Sequence, residues 1–209
     1  MADPTRMNTS RLEAFSDGVL AIVITIMVLE LKVPEGHSFA DLAHTTGWGL
    51  LSYLLSFVYV GIYWTNHHHL FQLVDEVDGG VLWANLALLF TLSLLPFTTA
   101  WMDSSHYAQA PVVTFGINLL VAGVAYYVLE VVIIRGQGSA SALQQAVGQD
   151  LKGQVSVVLY VVGIAFAAVL GAHHVVGIWL ALGCFVAVAV FWVVPDPRID
   201  RAIRASREA

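Results

Sequence analysis

Cysteine and charge are scarce in this chain, and each scarcity excludes something. Cys184 is the single cysteine, so no disulfide framework and no cysteine-rich metal centre can form. Charged residues make up 11% of the chain, against about 25% in an ordinary soluble domain. That leaves too little polar surface for a sizeable soluble unit. No HExxH helix, P-loop, nucleophile–base pair or glycine-rich cofactor fingerprint occurs, so neither enzyme chemistry nor a resident cofactor is expected. Internal repeats, low-complexity tracts and Gly/Ser linkers are also missing, which predicts one domain over residues 1–209.

What is present is apolar. Hydrophobic residues make up 58% of the chain, and the mean hydropathy is +0.76. This places the chain among multi-pass membrane proteins. Apolar runs between polar or Gly/Pro breaks predict six helices, over about residues 10–31, 47–73, 81–102, 111–134, 154–171 and 173–194. The fold class expected is therefore all-α with six transmembrane helices. Gly171-Ala-His173-His174 is the tight turn between the last two, and Pro96 is expected to kink the third. The start of the chain, with Arg6 and Arg11 before an apolar stretch, has the outline of a signal peptide. Glu13, Asp17 and the lack of a small-x-small cleavage site predict that it is retained.

Six spans put both termini on one side. That side would carry eight of the nine basic residues, all but Lys32. By the positive-inside rule both termini are expected in the cytoplasm of a cell-membrane protein, with residues 195–209 as a short basic tail. Trp48, Trp83, Trp101, Trp179 and Trp192 fall near predicted helix ends, as an interfacial aromatic belt requires.

The first span is unusual. The apolar stretch from Gly18 to Leu29 covers roughly 18 Å at ~1.5 Å per residue, short of a hydrocarbon core roughly 30 Å thick. The polar block from Ser10 to Asp17 must supply the rest, drawing ionisable groups towards membrane depth, where they usually meet a partner or a water path. Gly18, Ile22, Thr25 and Leu29, with Ala14 and Arg11, share one helical stripe. Two readings of it stand open: a helix-packing seam, with Thr25 bonded to its own i−4 carbonyl, or a pore-lining face. On the second span His67 lies level with Asp17, and Trp64 shares its face. A buried carboxylate needs a partner, so an Asp17–His67 contact with Arg11 nearby is expected.

Other polar groups have plainer readings. His67-His68-His69 are successive helical residues about 100° apart, so they are not expected to converge on one metal ion. His173-His174 is read as loop. Glu30 and Lys32 suit either an outer-mouth charge ring or interfacial snorkelling. Glu130 and Arg135 suit an interfacial pair, and Asn85 and Asn118 suit hydrogen bonding between helices.

Arg11-x-x-x-Phe15-Ser16-Asp17 followed by Gly18-Val-Leu-Ala-Ile22-Val-Ile-Thr25 resembles the signature of the transmembrane protein 175 family. Trp64-x-x-His67, six spans and about 200 residues match its prokaryotic members. The resemblance implies a potassium-permeable cation channel without a Thr-Val-Gly-Tyr-Gly filter, a sequence that this chain lacks. It implies a homotetramer in the bilayer, with the first helix lining a central pore for potassium ions. Ile22, Ile26 and Leu29 then correspond to a hydrophobic constriction, and Thr25 to a hydroxyl layer implicated in potassium preference. Arg11, Phe15, Ser16, Asp17, Trp64 and His67 correspond to a polar network holding the first two helices together. Ala21 stands where some relatives carry serine, so one hydroxyl ring is expected to be absent, and without a rigid carbonyl cage selectivity over sodium is expected to be modest. The rival expectation is a secondary transporter or proton-coupled exchanger using Asp17 and His67, and a third is a helical membrane scaffold.

Overall fold

In the computed structural model, residues 7–74, 76–137 and 151–193 are described. Seven α-helices follow one another in these segments: α1 Thr9–Leu29, α2 Phe39–Phe71, α3 Gly79–Ser93, α4 Leu95–Ser104, α5 Gln109–Gln137, α6 Leu151–Ala165 and α7 Val175–Val193. α3 and α4 are two halves of one span, and α6 continues through a π-helical turn, Phe166–Leu170. Six spans among the described residues are thus long and apolar enough to cross a membrane. The expected basic tail over residues 195–209 lies outside the described residues.

Helix ends follow local chemistry. Asn8 caps α1, its side chain accepting from the Ser10 N–H. α2 starts at Phe39, eight residues before the predicted Gly47, because Ser38 and Asp41 form a capping box that satisfies orphan N–H groups reciprocally. The 33 residues of α2 rise about 50 Å at ~1.5 Å each, so this helix overreaches a hydrocarbon core. The Thr46 hydroxyl donates to the Lys32 carbonyl at 2.7 Å and ties the α1–α2 connection down against α2. The third span is broken rather than merely kinked. Leu94 closes α3, and Pro96 sits in the first turn of α4, where its missing N–H costs least. The α6–α7 turn falls at Gly171–His174, as expected.

A two-residue antiparallel ladder, Met7–Asn8 with Glu76–Val77, joins the start of α1 to the α2–α3 connection. It fixes one end of the bundle, shared by the starts of α1, α3 and α6 and the ends of α2, α5 and α7. Arg11, Arg135 and Lys152 lie towards this end, whereas Lys32 follows α1 at the other. Trp48 and Trp179 meet Tyr107 in an aromatic cluster towards that other end, with centroids 5.5 to 6.1 Å apart.

The core lies between α2, α3, α5, α6 and α7. The Phe115 and Phe185 rings meet edge to face at 6.0 Å, and the Tyr59 hydroxyl donates to the Phe185 carbonyl at 2.6 Å. Glycines permit this density. A Cβ on Gly116 would lie 2.5 Å from the Phe185 ring, and one on Gly163 would lie 2.7 Å from it. Helix α1 stands to one side and packs on α2, α3 and α4.

Candidate functional site: the first helix and its polar joint

α1 runs unbroken for 21 residues, about 32 Å at ~1.5 Å per residue. The Ser10–Asp17 block is therefore helical and makes up the length that the apolar remainder lacks. Leu12, Ser16, Leu20, Val23 and Met27 are buried, at spacings of four, four, three and four, and form the face that packs. The stripe of Arg11, Ala14, Gly18, Ile22, Thr25 and Leu29 is exposed throughout. Ile22 is 59% exposed, Leu29 80% and the neighbouring Ile26 42%. Among the described residues nothing covers this stripe, so it is not a packing seam between them. The Thr25 hydroxyl donates to the Ala21 and Ile22 carbonyls, each at 3.0 Å, as its back-bonding reading required.

The polar block makes two separate attachments. Ser16 is fully buried and faces α3. Its hydroxyl donates to the Leu12 carbonyl at 2.8 Å and accepts from the Asn85 amide at 3.0 Å. The Asn85 carbonyl oxygen is then free to meet His67 Nε2 at 2.8 Å. With the Ser16 proton committed to Leu12, Asn85 must donate to Ser16 and accept from His67. This makes the Nε2–H form the one that satisfies every group. His67 and Asn85 are each 2% exposed, and the His67 ring packs on Phe71 at 4.6 Å. One residue on, Asp17 has turned about 100° and is exposed. It accepts from Trp64 Nε1 at 2.9 Å.

The direct Asp17–His67 contact expected from the sequence does not form. The two side chains take different partners, because Ser16 rather than Asp17 faces the histidine and Asn85 spans the gap between them. Arg11 does not join either: it is exposed, with no ion pair to Asp17 among the described residues. Phe15 is also exposed. Trp64 stacks on His68, which bonds Gln72, so His67 and His68 serve different neighbours.

Asn85 is the residue that sequence reasoning left unplaced. It had been assigned only to hydrogen bonding between helices, yet its depth in α3 matches that of His67 in α2. Counting residues from the shared α2–α3 connection would have paired them. Asn118, its counterpart in α5, donates to the Thr98 hydroxyl at 3.3 Å, and Ser56 meets Thr99 at 2.7 Å. Together these hold the broken third span to α2 and α5.

Six apolar spans, buried hydroxyl and amide bridges between helices, and a first helix with one uncovered stripe define a multi-pass helical membrane protein. A family model described as "Endosomal/lysosomal potassium channel TMEM175" matches residues 11–96, which include both attachments of the polar block. A potassium channel of Chryseobacterium sp. (strain P1-3) is 51% identical over 198 residues, covering 95% of this chain and 99% of its own length. The chain belongs to the TMEM175 family. The crystal structure of a lysosomal potassium-selective channel TMEM175 homolog from Chamaesiphon minutus aligns with a TM-score of 0.61 at 27% identity, over 88% of this chain and 96% of that one. The endosomal/lysosomal proton channel TMEM175 of Gallus gallus is 33% identical over 129 residues, which is 59% of this chain and 25% of that much longer protein.

Proposed function

We propose that this protein is a potassium-permeable cation channel, built as a homotetramer of single-domain, six-span subunits around a central axis lined by α1. The observation that carries this reading is the uncovered stripe of Gly18, Ile22, Thr25 and Leu29 opposite a fully packed one. A long apolar face beside polar attachments suits a wall shared between copies. With α1 at the side of one small six-helix chain, an ion path lined by its stripe calls for further copies of the subunit.

Four Ile22 side chains meeting on the axis would form a neck that closes by dewetting, with Ile26 and Leu29 extending it. Thr25 would bring a ring of hydroxyl oxygens to a partly dehydrated cation. Its proton is engaged by its own helix, so a lone pair remains for the ion. Without a rigid carbonyl cage, discrimination between potassium and sodium rests on dehydration cost and is modest. Arg11, Arg135 and Lys152 near one end, with Lys32 at the other, support cytoplasmic termini in a cell membrane. The joint of Ser16, Asn85, His67, Asp17 and Trp64 holds the inner half of α1 while the neck widens. Conduction of this kind needs no cofactor and no enzyme chemistry.

The deciding experiment is flux from liposomes containing the purified protein, under potassium and then sodium gradients, with oligomer mass measured in the same preparation. Passive flux down either gradient, faster for potassium, with a mass of four subunits is the expected result. Saturable uptake driven by a proton gradient would replace this reading with the transporter. No flux at all would leave the scaffold.

A further inference from the structure

Backbone strain gathers in the connection between α4 and α5. His106 and Tyr107, with φ of 52° and 59°, are the non-glycine residues of positive φ among those described. Helix α4 ends in a Schellman motif. The Tyr107 N–H donates to the Met102 carbonyl and the His106 N–H to the Asp103 carbonyl, each at 2.9 Å. This motif requires a left-handed residue just past the cap, a place that glycine takes most readily. The chain puts histidine there and follows it with tyrosine, a bulky residue for which positive φ is a true outlier. Such strain persists only where the surroundings hold it.

Tyr107 itself supplies the hold. Its hydroxyl donates to the Trp48 carbonyl at 2.9 Å and, with that proton used, accepts from the Ser52 hydroxyl at 2.6 Å. Its ring meets those of Trp48 and Trp179 at 6.0 and 6.1 Å. On the same turn of α2, Gly49 lies against α4: a Cβ there would be 2.9 Å from the Asp103 carboxylate. The other side of the connection is fixed, because Gln109 at the start of α5 donates to the Ala168 carbonyl at 2.6 Å. Movement is therefore left to α4. Its first half is pinned through Thr98 to Asn118 and through Thr99 to Ser56, so its last turn swings about those threonines when the tyrosine lets go. Trp48 is exposed, and water can take over a hydrogen bond at such a place at little net cost.

What α4 holds back is the end of α1. Met27 and Glu30 of α1 share a recess with Ala100 and Asp103 of α4, and its free space is about 10 Å³, hardly the room for one water. Met27 is buried on the side of α1 opposite the uncovered Ile22 and Leu29. Widening a neck formed by that stripe means drawing the end of α1 back towards α4, where no space exists while α4 stays in place. We propose that Tyr107 is a release latch. Engaged on Trp48 and Ser52, it keeps α4 against α2 and the neck narrow; released, it lets the strained turn relax, α4 swing and α1 withdraw. Its effect on the neck rests on the channel reading, whereas its hold on α4 does not.

The test reads the latch and the flux separately on purified full-length protein in liposomes. Amide hydrogen exchange over residues 101–107, followed by mass spectrometry, reports how often the end of α4 opens. Tyr107→Phe keeps the ring and deletes the hydroxyl, and should quicken that exchange about two- to tenfold, the population shift that one neutral hydrogen bond is worth. His106→Gly removes strain from the engaged state and should slow it. Potassium flux should rise in the first variant and fall in the second, a pair of opposite signs that mere loosening of the fold does not produce. In a Cys184→Ser chain, Gly49→Cys with Asp103→Cys can tie α2 to α4 by a disulfide. Oxidation should then stop most of the flux, and reduction should restore it. Exchange unaltered by Tyr107→Phe, flux raised by His106→Gly, or flux indifferent to the disulfide would each overturn the latch. A wild type that passes no ions refutes the channel, with exchange still deciding whether Tyr107 holds α4.

Discussion

Asn85 stands between Ser16 and His67, with its amide on the hydroxyl at 3.0 Å and its carbonyl oxygen on the imidazole at 2.8 Å. Three helices meet in that one side chain, and all three residues are buried. Asn85→Leu should strand two polar groups and lower stability by about 1–3 kcal/mol, read from thermal unfolding in detergent. Ser16→Ala and Asn85→Leu should combine less than additively, since either removes the same bond. Strict additivity would mean that the bridge carries no energy.

The Trp64–Asp17 bond has a different character, because both residues are exposed within the subunit. Trp64→Phe keeps the ring and deletes the donor. Its cost in subunit stability should stay below about 1 kcal/mol. Its effect on liposome flux should be larger, because the bond ties α1 to α2 beside the uncovered stripe. A stability loss with unchanged flux would make the bond a packing contact only.

Ile22→Ala should raise passive leak and reduce potassium-over-sodium discrimination, because a smaller ring admits more hydrated ions. Ile22→Asn should do so more strongly by wetting the neck. The readout is the same liposome flux under both gradients. Conductance unaltered by both substitutions would remove Ile22 from the constriction.

Gly116→Ala tests the core independently of conduction. The added methyl would sit 2.5 Å from the Phe185 ring, and that ring is fully buried. A loss of about 1–3 kcal/mol is expected from overpacking. Gly18→Ala, with nothing within 4 Å of the new atom inside the subunit, is the control and should cost nothing, raising subunit stability by up to about 1 kcal/mol through helix propensity.

The six spans were legible because each is an apolar run bounded by breaks, and hydropathy needs no partner to be seen. The start of α2 was not, since Asp41, His44 and Thr45 dilute its first turns. The capping pair Ser38–Asp41 was the better signal there. Pro96 announced an irregularity, yet its position at the start of α4 depends on Leu95 and Pro96 being buried on the core side. For the joint, depth counting put the right helices side by side but paired Asp17 with His67. A helical turn of about 100° per residue decides which neighbour faces inward. That rotation was fixed by the packing of Leu12, Leu20 and Val23, not by the charges.

The break between α3 and α4 divides the support of α1. Asn85 of α3 grips the N-terminal half of α1, whereas Met27, near its C-terminal end, shares a small recess with Pro96 and Thr99 of α4. Pro96 has no N–H to give the Leu92 carbonyl, so the two supports are linked through a weakened backbone rather than a continuous rod. The C-terminal end of α1 can tilt with α4 while its N-terminal half stays anchored, like a reed fixed at its base.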